Sequence, residues 1–129
     1  MINCMPKKKN KILLAEDDRL ICRAYEASLK QEGFDVVCAH DGEEALQKLG
    51  EFTPDLILLD LIMPNKNGFE FLEAIKPDAK LKKIPVIVLS NLGQESDIER
   101  AKALGAVGYL IKSDSSIQKI VEKASEYLK

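Results

Sequence analysis

Apolar residues fall into five short, nearly continuous runs, at positions 11–15, 35–39, 56–59, 86–89 and 107–111. They lack the alternation of a half-exposed strand and so predict strands covered on both faces, as in a parallel sheet. Helical spacing separates them. Leu20, Ala24 and Ala27 predict the buried face of a first helix, with Gly33 as its terminator. Ala45, Leu46 and Leu49 form a shorter stripe before Gly50. Phe69, Leu72 and Ile75 repeat every three residues until Lys76-Pro77 stops them, and Ile98, Ala101 and Leu104 run up to Gly105. The last stripe is Ile117, Ile120, Val121, Ala124 and Leu128, with Asp114, Ser115 or Ser116 as the N-cap. Strand followed by helix, five times over, predicts a doubly wound α/β fold: a five-stranded parallel sheet with helices on both faces. Residues 1–10 are expected to be a flexible tail and residues 11–129 a single domain.

Composition narrows the class. At 129 residues, 46% hydrophobic and 31% charged, the chain reads as one soluble globular domain. A net charge of −2 gives no broad basic field for direct nucleic-acid binding. Cys4, Cys22 and Cys38 form no CxxC pair and read as small apolar fillers rather than a secreted disulfide framework. The apolar stretch after the N-terminal lysines is too short for a signal peptide, and no run approaches the ~20 residues needed to span a bilayer. The expectation is a cytoplasmic protein without membrane contact.

The chemistry lies just past each apolar run. The first strand is followed by Glu16-Asp17-Asp18, the third by Asp60, the fourth by Ser90-Asn91 and the fifth by Lys112. In an open parallel sheet all carboxyl ends share one edge, where ligands bind. One polar strand end means little, because loops are wet; acids, a hydroxyl and an ammonium together are harder to dismiss. Two carboxylates ~4 Å apart repel by about 4 kcal/mol at an effective dielectric of 20. The cluster therefore needs a cation or a proton held by a raised pKa. Hard oxygen donors without a His or Cys cluster favour Mg²⁺ or Mn²⁺, and Mg²⁺ commonly brings phosphate oxygens with it. Lys112 would neutralise a phosphoryl group and Ser90 would donate to it. Asp60 follows a rigid aliphatic strand and is the carboxylate best placed to act as nucleophile.

Glu16-Asp17, Asp60 with Met63-Pro64 and Gly68, Ser90, and Gly108-Tyr109 with Lys112 form an ordered set that resembles the receiver domain of two-component response regulators, including chemotaxis regulators. The resemblance runs from about Lys11 to the C-terminus. It implies a flavodoxin-like (βα)5 fold with strand order 2-1-3-4-5. It further implies that Asp60 is the phosphoacceptor, that Asp17, Asp60 and the backbone carbonyl of Ile62 ligate Mg²⁺, and that Glu16 acts through water. Ser90 corresponds to the switch hydroxyl, Lys112 to the phosphate-binding lysine and Tyr109 to the aromatic that follows the hydroxyl. The implied partners are a histidine kinase or phosphotransfer protein and a downstream protein or output domain. Such a domain catalyses its own phosphorylation and dephosphorylation without being a turnover enzyme.

Three positions depart from the family pattern. Ser113 stands where a cis proline is usual, and a non-proline cis bond costs about 2.5–4 kcal/mol, so a trans bond is expected. Asn91 replaces a small residue and is expected to narrow the pocket or add a hydrogen bond. Ile62 puts an apolar side chain near the path of an attacking water, which predicts slow self-dephosphorylation. The lone His40 reads as a loop residue. Asn65 to Gly68 reads as a turn opening the third helix, Lys80, Lys82 and Lys83 as a solvated loop, and Phe69 and Phe71 as one core and one surface aromatic.

Rival readings are weaker. A flavodoxin-like mononucleotide binder would not open its first loop with three acids. A haloacid-dehalogenase-like phosphatase wants a second Asp where Ile62 stands. A receiver-like interaction module that accepts no phosphate sits badly with the complete acid, hydroxyl and lysine set.

Overall fold

A computed structural model describes residues 9–128. Five strands, β1 (Lys11–Ala15), β2 (Asp35–Ala39), β3 (Leu56–Leu59), β4 (Val86–Ser90) and β5 (Gly108–Ile111), alternate with five helices. These are α1 (Arg19–Gln31), α2 (Gly42–Leu49), α3 (Gly68–Ile75), α4 (Glu95–Ala103) and α5 (Ile117–Leu128). All strand pairs are parallel, in the order β2-β1-β3-β4-β5. The apolar runs therefore mark the strands, with boundaries moved by one residue at β4 and β5.

Two apolar layers cover the sheet. Leu13, Ile57, Leu59 and Val88 face one way, toward Phe71, Leu72 and Ala101 of α3 and α4. Ile12, Leu14, Leu56, Leu58 and Ile87 face the other, toward α1 and α5. The central strand β3 is wholly buried, which explains its unbroken Leu-Ile-Leu-Leu. Each such side chain contributes about 1.5–3 kcal/mol by leaving water.

Two sequence expectations need correction. The buried face of α1 is Cys22, Tyr25 and Leu29, whereas Leu20, Ala24 and Ala27 are exposed. Both faces repeat at helical spacing, and the bulkier Tyr-Leu face removes more apolar surface from water. Phe69 and Phe71 are both buried; Phe69 is covered by the Arg100 guanidinium, 4.1 Å from its ring centroid. The punctuation otherwise behaves as read. Gly33 has a φ of 93° after α1. Asn67 caps α3 in a reciprocal box with Glu70, and Ser116 Oγ accepts from Lys119 N at the start of α5. Lys80, Lys82 and Lys83 are exposed around a short 3-10 turn.

Residues 1–8 of the expected tail lie outside the described residues. Asn10 is tied into the domain: its carbonyl accepts from Asp35 N, and its side-chain amide donates to Leu128 O. Among the described residues no helix is long and apolar enough to cross a membrane.

Candidate functional site

The sheet register itself assembles the acids. Glu16 N donates to Ala39 O at 2.9 Å and Asp60 N donates to Ala15 O at 3.0 Å, so both residues leave adjacent strands at one level. Gly68 then passes directly beneath Asp60. Its N–H donates to Leu61 O at 3.0 Å, and a Cβ there would collide with the Asp60 carbonyl and lie 2.7 Å from Leu61 Cα. Glu16, Asp17 and Asp60 each place a carboxylate oxygen within 4.8 Å of the others. Asp18 points away from this cluster and caps α1, accepting from Leu20 N and Ile21 N. Its own N–H donates to Glu16 Oε2 at 3.2 Å.

Lys112, in the turn just after β5, reaches across this rim. Its ammonium donates to Asp60 Oδ2 at 2.8 Å and to Glu16 Oε1. Asp60 Oδ1 accepts from Ile62 N at 3.2 Å. The two carboxylates are nearly sealed from water, and the Lys112 side chain is 12% exposed. Burial pushes Glu16 up to about 7, because its desolvation outweighs the hydrogen bond and charge of Lys112. Burial opposes the charge on Lys112, yet its bonds to Asp60 and Glu16 prevail and raise its pKa. The Lys112 ammonium and the raised Glu16 pKa relieve the crowding of Glu16 and Asp60. The donor set is all carboxylate oxygen, which suits a hard divalent cation.

Ser90 is fully buried at the end of β4, and its Oγ accepts from Leu92 N at 3.2 Å. The Tyr109 phenol donates to Leu92 O, on the residue whose N–H binds Ser90. The Tyr109 ring is half-buried against the α3–α4 side of the core. The side chain of Ile62 is 57% exposed.

One contact escaped the sequence reading. His40 is more than a loop residue: its Nδ1 lies 3.1 Å from Glu16 O. A carbonyl can only accept, so Nδ1 carries the proton and steadies the backbone of the acid loop. Its placement, one residue beyond the β2 partner of Ala15, was a signal available from register alone. Asn91 takes the second of its two expected roles, since its Oδ1 accepts from Ser113 N at 3.0 Å. No peptide bond among the described residues is cis, so the bond before Ser113 is trans.

Comparisons with known proteins agree with this geometry. Residues 12–125 match the family described as response regulator receiver domain. The transcriptional regulatory protein CpxR of Escherichia coli K12 is 45% identical over 103 residues, covering 80% of this chain and 43% of CpxR. The chain thus spans less than half the length of that curated relative. The chemotaxis response regulator CheY4 of Vibrio cholerae superposes with a TM-score of 0.86 at 28% identity, over 93% of this chain and 99% of CheY4. The phosphorylated cyanobacterial phytochrome response regulator RcpA gives 0.83 at 36% identity, over 93% of this chain and 94% of RcpA. With the family match extending over nearly the whole chain and the acids gathered at one rim, this protein belongs to the receiver domains of two-component response regulators.

Proposed function

We propose that Asp60 accepts a phosphoryl group from a histidine kinase or phosphotransfer protein, with a divalent cation held by Asp17, Asp60, the Ile62 carbonyl and, through water, Glu16. The observation that carries this reading is the Lys112 ammonium set between Asp60 and Glu16 beside the Asp17 carboxylate. An Asp60 oxygen attacks phosphorus, forming an O–P bond while the donor's P–N bond breaks and the imidazole keeps the electron pair. Lys112 moves from bridging two carboxylates to bridging carboxylate and phosphoryl oxygen. A bound Mg²⁺ or Mn²⁺ supplies positive charge for the transferring oxygens.

Ser90 is the hydroxyl that turns toward the phosphoryl group, giving up its contact with Leu92 N beside the bond from the Tyr109 phenol to Leu92 O. Those contacts lie in the β4–α4 loop, so modification at Asp60 changes the surface that a downstream protein or output domain reads. The change occurs only because the phosphoryl group binds two arrangements of this loop unequally. The exposed Ile62 side chain stands where it can shield the acyl phosphate from water, so the modified form is long-lived; a half-life of seconds would contradict this. Any contact with nucleic acid would come through an output domain, and a cytoplasmic setting fits the kinase partner.

The test is incubation with acetyl phosphate and Mg²⁺ followed by intact mass. A single phosphoryl adduct on the native chain, absent from Asp60→Asn, is expected. An equal adduct on both proteins, or on neither, would defeat the assignment.

A further inference from the structure

Two of the three cysteines meet on the flank of the acidic rim, where the proposed phosphoryl chemistry uses neither. Cys38 is the register partner of Leu14 in the parallel β1–β2 pair, so both side chains project from the same face of the sheet. α1 covers that face. Cys22, 1% exposed, is packed in the same apolar layer as Leu14, and half-buried Cys38 lies against it. Glu26, one turn along α1 from Cys22, touches the Cys38 sulfur. Both thiols are free, and together they line one cavity of about 150 Å³ whose other walls include Arg19, Arg23 and Glu26.

We propose that Cys22 and Cys38 are a redox-active dithiol, a modification site that hydroperoxides convert into an intramolecular disulfide joining α1 to β2. Exposure orders the two sulfurs: Cys38 is the one a solute reaches, and Cys22 stands behind it. The cavity also supplies a base. Cys38 Sγ lies 3.8 Å from Glu26 Oε1, and Glu26 is held by Lys30 Nζ at 2.8 Å from its other oxygen. The neighbouring Cys22 lowers the pKa of Cys38 against the opposing effects of burial and Glu26, while Cys38 and burial raise that of Cys22. The more exposed Cys38, in contact with Glu26, is the sulfur that attacks first, and buried Cys22 keeps its proton until the second step.

The bonds and electrons balance. Glu26 takes the Cys38 proton, and the Cys38 sulfur attacks one peroxide oxygen. An S–O bond forms, the O–O bond breaks, and the departing hydroxide recovers the proton from Glu26 as water. The Cys22 sulfur then attacks the Cys38 sulfenic sulfur. The S–S bond forms, the S–O bond breaks, and the departing hydroxide leaves with the Cys22 proton as a second water. Two thiols lose two electrons, and one hydrogen peroxide becomes two waters.

The experiment uses the full chain carrying Cys4→Ser, since Cys4 lies outside the described residues and would add a third thiol. After hydrogen peroxide treatment, intact mass should show loss of two hydrogens from a monomer. Non-reducing peptide mapping should find one linked pair containing Cys22 and Cys38, released by dithiothreitol. With Cys22→Ser added, Cys38 should stop at a sulfenic acid that dimedone traps; with Cys38→Ser added, Cys22 should stay a thiol. The deciding measurement is made with both thiols present, so it does not depend on either variant folding. An unchanged mass, oxidation of Cys38 that leaves Cys22 a thiol, or dimers joined through one cysteine would overturn the proposal.

Discussion

Asn91 Oδ1 accepts a hydrogen bond from the Ser113 amide at 3.0 Å, joining the segment after β4 to the turn after β5. A proline at 113 would have no N–H to donate. Asn91 and Ser113 thus form one hydrogen-bonded pair that ties together the loops that carry Ser90 and Lys112. Asn91→Ala should lower stability by about 0.5–1.5 kcal/mol, seen as a smaller urea midpoint at unchanged m. It should also speed exchange of the Ser113 amide. Wild-type protection of that amide in the variant would refute the latch.

Lys112→Met would leave Glu16 and Asp60 facing each other without their cation. Because Glu16 already sits near 7, it can take up a proton, and that limits the damage. A loss on the order of 1–3 kcal/mol is expected in metal-free buffer. Added Mg²⁺ should raise the melting temperature of this variant more than that of the native chain, and acetyl phosphate labelling should nearly vanish. Equal Mg²⁺ responses would mean that Lys112 and a divalent cation do not share these carboxylates.

Gly68→Ala tests how the β3–α3 crossing supports Asp60. The added Cβ meets backbone atoms of Asp60 and Leu61, which cannot rotate away. Overpacking of this kind costs about 1–3 kcal/mol. Phosphoryl labelling should fall along with stability. A variant as stable and as readily labelled as the native protein would show that the close approach carries no constraint.

Asp41 caps α2, accepting from Glu44 N at 2.7 Å, and its other oxygen accepts from Asn65 Nδ2 at 2.7 Å. The Glu44 backbone bond and then the Asn65 bond hold its carboxyl below its ordinary value of 3.8. The sign follows directly. A lowered pKa in the folded state adds stability that is present above 3.8 and is lost as pH falls through the depressed value. Asp41→Ala should cost about 1 kcal/mol at neutral pH. Asp41→Asn keeps a cap without the charge, so its acid unfolding limb should be shallower than the native one. Coincident limbs in acid titrations of the urea midpoint would refute it.

Much of this protein was legible in the order of its residues. Leu56 to Leu59 read as a strand buried on both faces, because alternation is unnecessary when neither face meets water, and it is one. Gly33 and Asn67 announced a helix end and a helix start through local backbone and side-chain chemistry. Parallel strands share a carboxyl edge, so Glu16, Asp17, Asp60, Ser90 and Lys112 could be assigned to one rim from their order alone. Tertiary packing decided what local pattern leaves degenerate. Two apolar stripes compete on α1, and only the sheet beneath selected Cys22, Tyr25 and Leu29 over Leu20, Ala24 and Ala27. The links from His40 to Glu16 and Asn91 to Ser113, and the cavity shared by Cys22 and Cys38, bring together residues 24, 22 and 16 positions apart. Side chains that distant meet only through strand register and loop direction, which no local periodicity encodes.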